Sequence, residues 1–306
     1  MNDIEMKIFE KGDARDLLEK AQKGDSHAQN EIGEMFLNGV LYQTNPNLPK
    51  AMTWLELSHN QGNIAGSVNL GICYQKMEKA GYINDGYKKA LKIFSDMHKS
   101  GNSYGTYHMG VIYEHGMGVD QNMPNAIQHY KAAVKEENVL ALFDWGMMHI
   151  EGKKTRQNNA TGVEMLEKAA LQGHIKSQYN LYVIYEEGDI TIRSPRFATK
   201  WLKKAVKNGY YPGMITLGDR YYNGCGIRKN FYMASIWYIQ AIMYGNKNSI
   251  LRLKRIIDEV DGIWEKMILS GDLIASYING ECRKFKLECQ YGIQKHITHR
   301  KKPQYA

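Results

Sequence analysis

The feature that most constrains this chain is a repeat. An apolar residue followed by glycine recurs as Ile32-Gly33, Leu70-Gly71, Met109-Gly110, Trp145-Gly146 and Leu217-Gly218, with worn copies at Leu181-Tyr182 and Leu253-Lys254. The first two intervals are 38 and 39 residues, and every later one is 36. A period in the mid-thirties holds two short helices and their turns. One such hairpin cannot bury its own apolar face, so the units must stack on one another.

Each period divides into a helix A and a helix B. Helix A carries a small residue four places before the repeat's apolar position: Ala28, Gly66, Gly105, Ala141, Ser177, Gly213 and Ser249. Four places after it stands an aromatic: Phe36, Tyr74, Tyr113, His149, Tyr185 or Tyr221. Positions i, i+4 and i+8 share one helical face. A glycine then ends the helix at Gly39, Gly116, Gly152, Gly188 and Gly224, as a left-handed C-cap requires. Proline opens several B helices (Pro49, Pro124, Pro195), where its fixed φ suits the first turn. Helix B closes at Gly62, Gly101, Glu137, Gly173, Gly209 and Gly245, and Asn63, Asn102, Asn138 and Asn246 follow as caps for the next helix A. Glu137 and Tyr182 stand where siblings have glycine, which predicts slightly re-angled hairpins there. Extra residues at Pro46–Pro49 and Met77–Gly86 predict longer early loops.

The pattern Leu-Gly-x-x-Tyr-x-x-Gly-x-Gly followed by Ala-x-x-Trp-Tyr-x-x-Ala-x-x-x-Gly, clearest over Gly213–Gly245, resembles the Sel-1-like repeat, a relative of the tetratricopeptide repeat. The resemblance implies an all-α, right-handed α-α superhelical solenoid of six to seven hairpins, with A helices lining the concave face. It implies an adaptor or scaffold for protein–protein contacts, with many relatives in bacterial signalling and host interaction. The organisation expected is a capping helix within 1–24 and repeats near 25–62, 63–101, 102–137, 138–173, 174–209 and 210–245. A degenerate unit at 246–257 then leads into C-terminal caps and a basic tail over 258–306.

Composition excludes several classes. No run of about 18 apolar residues exists, so no membrane span is expected. The N-terminal residues contain no apolar leader segment, and Cys73, Cys225, Cys282 and Cys289 form no disulfide framework. Both points favour a cytoplasmic setting. The net charge is +8, and residues 281–306 hold seven Lys/Arg against two Glu. That tail is expected to be a solvated end rather than a nucleic-acid arm. Cys282, Cys289, His296 and His299 are zinc-type ligands, but a spacing of seven residues on a helix spans about 10.5 Å, too far for one ion. A disulfide between Cys282 and Cys289 is a further alternative, which only the resemblance suggests. Cys73 is expected to be a small core residue. His98, His108, His115, His129 and His149 cluster in the middle units; His129 and His149 take aromatic positions of the repeat and are read as packed substitutes for them. No nucleophile motif with an orienting acid is present. No enzyme, cofactor or metal is expected.

The concave surface is the better candidate. Its positions lie five and two before the apolar residue and two and five after it. The third unit supplies Tyr104, Tyr107, Val111 and Glu114; the fourth Leu140, Phe143, Met147 and Ile150; the fifth Tyr179, Val183 and Glu186, beside Lys176. The first and last units are more polar there, with His27, Asn30, Glu34 and Leu37, then Asn248, Leu251, Arg255 and Asp258. Each residue singly fits packing between A helices. As a contiguous apolar group they point to a partner protein or peptide, since aromatics and Met anchor interfaces. Glu114, Glu151, Glu186 and Glu187 end successive A helices; they fit either polar loops or receivers of a partner's basic segment. A narrower alternative is an immunity protein that neutralises a toxin by blocking it.

Overall fold

The computed structural model describes residues 13–39 and 45–259. Among these, every regular element is a helix. They are α1 (Asp13–Gln22), α2 (Ser26–Asn38), α3 (Leu48–Asn60), α4 (Ile64–Lys79), α5 (Gly86–Lys99), α6 (Ser103–His115), α7 (Met123–Lys135), α8 (Val139–Glu151), α9 (Asn159–Leu171), α10 (Ile175–Glu187), α11 (Pro195–Lys207), α12 (Gly213–Asn223), α13 (Phe231–Met243) and α14 (Ser249–Glu259). Even-numbered helices are the A helices, and within each compact unit consecutive helices pack against one another as antiparallel neighbours. The N-terminal B-type helix expected at Ala14–Gly24 is α1. The expected C-terminal caps, the basic tail and the Cys282/Cys289/His296/His299 set lie outside the described residues.

The chain forms two compact units, one through Asn158 and one from Asn159 onward. The division falls inside the fourth repeat, after its A helix α8 and before its B helix α9. The first unit's core runs through Ile32, Phe36, Leu55, Leu70, Cys73, Phe94 and Ile112. The second holds one cluster around Leu202, Val206, Met214 and Leu217 and another around Tyr222, Tyr238, Leu253 and Ile256. Cys73 is fully buried, as the sequence implies, and burial pushes its thiol up to about 11.

The repeat glycine inside helix A is explained by close approach. A Cβ on Gly71 would lie 2.3 Å from the Phe94 ring, and one on Gly218 would lie 2.5 Å from the Tyr238 ring. Glycine in a helix costs about 1 kcal/mol against alanine. Burying a whole aromatic side chain of 150–250 Å² returns about 4–6 kcal/mol, so the exchange is favourable. At Tyr182 the arrangement inverts. The tyrosine packs on the cluster containing Leu202, which takes the B-helix register that Tyr238 fills in the next repeat.

Turns repeat as strictly as helices. Beyond each B helix a backbone N–H reaches back to the carbonyl five residues earlier: Asn63 to Ser58, Asn102 to Met97, Asn138 to Ala133, His174 to Ala169, Tyr210 to Ala205 and Asn246 to Ala241. This Schellman closure needs a left-handed residue before it. Gly62, Gly101, Gly173, Gly209 and Gly245 supply it, and Glu137 adopts the same conformation with φ 54°. The expected re-angling at Glu137 is thus a strained residue in an unchanged turn. Asn63, Asn102 and Asn138 cap α4, α6 and α8 through their side chains. After Asn246 the helix begins only at Ser249.

A second link joins A to B. The amides of Asn47, Asn122, Asn158, Ser194 and Asn230 donate to the carbonyls of Phe36, Tyr113, His149, Tyr185 and Tyr221 at 2.8–2.9 Å. The side chains of Asn47, Asn122, Ser194 and Asn230 also cap their own B helices. The second repeat lacks this device. Met77 occupies the place of the C-cap glycine and is buried, so α4 continues to Lys79 and the expected loop shrinks to residues 80–85. Asp85 precedes α5 without a side-chain cap.

Glu137→Gly should raise stability by about 0.5–1 kcal/mol: relief of a left-handed non-glycine residue exceeds glycine's added unfolded-state entropy. Gly71→Ala should lower it by about 1–3 kcal/mol through overpacking against Phe94. Denaturant midpoints of the purified variants measure both.

Candidate functional site

The A-helix face of the first unit is tied together by polar side chains at a fixed register. Asn69 Nδ2 on α4 donates to Asn30 Oδ1 on α2 at 2.9 Å. One repeat pair later, Tyr107 Oη on α6 donates to Asp144 Oδ2 on α8 at 2.6 Å. In both cases the residue two before the apolar position meets the residue one before it on the next A helix. Tyr107 therefore serves the stack itself. Burial, with Asp144 beside it, pushes its hydroxyl pKa up.

Glu114 is also committed internally. It is 8% exposed and accepts from Tyr130 Oη at 2.6 Å and from Lys154 Nζ. Burial raises its pKa, yet the hydrogen bonds from Lys154 and Tyr130 hold the carboxyl below its usual value. In the second unit Glu186 does similar work. Arg220, 5% exposed, donates Nη1 to Glu186 Oε2 at 2.8 Å, Nη2 to the Pro195 carbonyl at 2.8 Å and Nε to Thr199 Oγ1 at 2.6 Å. It joins α10, α11 and α12. Arg193 approaches the same carboxylate. Glu151 lies 3.7 Å from Lys153. Of the two readings open for these carboxylates, polar loops or receivers of a partner's basic segment, Glu114, Glu151 and Glu186 have basic groups supplied by the chain itself. Tyr179 is half-buried, 4.6 Å from the Tyr210 ring and 5.8 Å from the Tyr182 ring.

The other groove positions of the first unit are apolar. Tyr104 is exposed, and Val111, Leu140, Phe143, Met147 and Ile150 are half-buried. Tyr104 also lines a cavity of about 640 Å³ with Ser26, His27, Asn63, Ile64, Val68 and Asn69, where Ile64 is 53% exposed. Val183 in the second unit is half-buried.

With this geometry in hand, the comparisons decide the family. The Sel1 repeat profile matches residues 26–63, 103–138, 139–174, 175–210 and 212–246, together more than half of the chain. The chain belongs to the Sel1 repeat family. The Sel1 repeats so matched omit residues 64–102, the hairpin with neither the glycine cap nor the Asn link. Among solved structures, the chain resembles c5321, a protective antigen of uropathogenic Escherichia coli with an SLR fold, at 24% identity and a TM-score of 0.54. That alignment covers 81% of this chain and 52% of the other, so the chain spans about half the length of the Escherichia coli protein. It also resembles a Sel1 repeat protein from Oxalobacter formigenes at 21% identity and a TM-score of 0.51, covering 79% of this chain and 80% of that one. Immunity protein Pa5087 from Pseudomonas aeruginosa aligns at 17% identity and a TM-score of 0.51, over 71% of this chain and 81% of its own. These likenesses establish the fold. No curated protein sequence matches the chain. Sel1 repeat solenoids are generally non-catalytic scaffolds that bind proteins. No helix among the described residues is long and apolar enough to cross a membrane.

The middle histidines pack as aromatics in the Sel1 hairpins. Tyr113 stacks on His129 at 5.5 Å, and Trp145 meets His149 edge-on at 4.9 Å. His108 stacks on Phe94 at 4.3 Å, and its buried Nε2 has no hydrogen-bond partner among the described residues. Sequence reasoning missed Arg220, Lys154 and Asp144. Arg220 left a signal: it stands in the register where the other A helices carry Ile112, Met148 and Ile184.

Burial lowers the His108 pKa to about 4. The unfolded chain, near 6.5, therefore takes up the proton first as the pH falls, and the folded state loses stability from about pH 6.5 down to about pH 4. Between about pH 7 and about pH 5 this single group removes about 2 kcal/mol. His108→Phe should keep the stack and abolish that component, read from denaturation curves at the two pH values.

Proposed function

We propose that this Sel1 repeat protein is a non-enzymatic binding protein that holds another protein or peptide on the A-helix face of its first unit. The observation behind this reading is α8, whose four groove positions are Leu140, Phe143, Met147 and Ile150. The first repeat offers His27, Asn30 and Glu34 at three of the same positions. Exposed Tyr104 and the cavity beside it extend the surface toward α2 and α4. Aromatic and Met anchors at the centre, with Asn and His at the edge, match the usual apolar core and polar rim of a protein interface. Tyr107, Glu114, Tyr179 and Glu186 fall outside this surface because they hold the repeats together.

A narrower form of the same reading is an immunity protein, in which the bound partner is a toxin that the chain blocks. One of the structures sharing this fold carries that name. Rescue of cells on co-expression with a toxin encoded beside this chain's gene distinguishes it from a general adaptor.

Phe143→Glu combined with Met147→Glu should abolish partner capture in a pull-down while the helical circular dichroism spectrum is retained. Tyr104→Arg, at an exposed position, should weaken capture by itself, with a loss of about 1–2 kcal/mol in binding free energy. Undiminished capture by the folded double variant sinks the proposal.

A further inference from the structure

The net charge of +8 is not spread evenly over this protein. The tail over residues 281–306 carries +5, with seven Lys/Arg and two Glu. Helix α11, PRFATKWLKKAVK, carries Arg196, Lys200, Lys203, Lys204 and Lys207 and no acidic residue. Its own charge exceeds what the tail leaves over, so the remainder of the chain is net acidic. The preceding B helix, α9, mixes Glu164, Glu167 and Lys168, and the following one, α13, carries no charge at all. The basic helix is therefore a local feature and not a property of the repeat.

The five cations form a row. Their spacings of four, seven, eight and eleven residues from Arg196 keep them along one side of the helix, over about 16 Å. Among the described residues none of them is in an ion pair, whereas Arg193, Arg220 and Lys154 all have carboxylate partners. Three are held in place by rings. Lys200 Nζ lies 5.8 Å from the centroid of Phe197, Lys203 Nζ 5.0 Å from that of Tyr221, and Lys204 Nζ 4.6 Å from that of Trp201. Resting a lysine stem on an aromatic face restricts it before any ligand arrives, which lowers the entropic cost of binding. Two apolar side chains flank the start of the row: Phe197 is 49% exposed and Ile192 is 87% exposed.

We propose that the outer face of α11 is a second docking surface, whose occupant is an acidic segment of a protein partner. Such a segment is a helix with carboxylates at i, i+4, i+7 and i+11 and an apolar residue that covers Phe197 and Ile192. The chemistry favours a protein over the two other polyanions. Single-stranded nucleic acid needs bare aromatic faces on which bases stack, and here ammonium groups sit over the rings of Phe197, Tyr221 and Trp201. An anionic membrane takes an amphipathic helix through its apolar face, and that face of α11, with Ala198, Leu202, Ala205 and Val206, is buried within the second unit. A carboxylate row needs neither; it needs point charges at helical spacing, which the lysines offer. This surface is independent of the A-helix face of the first unit, so either proposal can fail without the other.

The test uses the whole chain and a synthetic helical peptide with Glu at i, i+4, i+7 and i+11 and one Leu near the first Glu. A peptide of equal composition with the Glu residues out of register, a single-stranded oligonucleotide and phosphatidylserine vesicles serve as competitors. The in-register peptide should bind most tightly, and its affinity should fall about tenfold or more with added salt and in Lys200→Glu/Lys203→Glu/Lys204→Glu. Phe197→Ala should weaken it further. If the triple Glu variant does not fold by circular dichroism, the Lys→Gln triple serves instead, with a smaller loss expected. Equal binding of the out-of-register peptide, tighter binding of the oligonucleotide or vesicles, or unchanged affinity in the folded triple variant overturns the proposal.

Discussion

Two helices of about four turns close into a hairpin here only because their axes can approach at one point. The repeat glycine provides that point. On Gly71 or Gly218 a single methyl group would collide with the ring that crosses it. The ring in turn carries much of the apolar area that makes a hairpin of this length stable. The register of the rest follows from this contact. Once Phe94 or Tyr238 sits over its glycine, the small residue one turn earlier and the aromatic one turn later fall against neighbouring helices. The turn beyond helix B is then left the same short span to cross in each repeat.

This is why so much of the fold could be read from the amino-acid sequence. Steric requirements leave residue types behind: glycine at the crossing and the caps, Asn at the N-caps, aromatics at the next turn. The link made by Asn47, Asn122, Asn158, Ser194 and Asn230 was equally present, since four of the five recur every 36 residues. Its signal is weak because Asn or Ser before a helix is already accounted for by N-capping, so nothing in the residue type points to the main-chain bond. Met77 misled in the other direction. Its place beyond the aromatic suggested a loop, but a buried Met without a glycine to stop the helix simply lengthens it.

The candidate site was less legible, for a physical reason. Position on the A-helix face says which way a residue points, not whether its polar atoms already have partners. Tyr107 and Glu114 share that face with Tyr104, and their hydrogen-bonding capacity is filled by Asp144, Tyr130 and Lys154. Those partners lie 16 to 40 residues away in sequence, beyond the reach of any local pattern. Apolar positions on α8 are easier to interpret, because their side-chain type alone states what surface they offer. Charge behaved likewise: net charge alone concealed α11, whose cations are offset elsewhere in the chain by acidic residues.

The second hairpin has a further consequence for how such a chain can change over time. Within each unit, the hairpins at Asn47, Asn122, Ser194 and Asn230 are latched from A to B by a main-chain bond that fixes the distance between the two helices. The second hairpin, with residues 80–85 between α4 and α5, has no such main-chain latch; there the Glu78 side chain on α4 accepts from the Tyr87 amide in the first turn of α5, a tie that spans the loop without fixing its length. The entropy of closing a loop grows only with the logarithm of its length, about 0.6 kcal/mol for each doubling. Added residues there would leave every glycine crossing in register, whereas the same insertion at a latched loop would break the bond that sets the hairpin. The ladder thus has one rung where new sequence can be accepted without disturbing its neighbours.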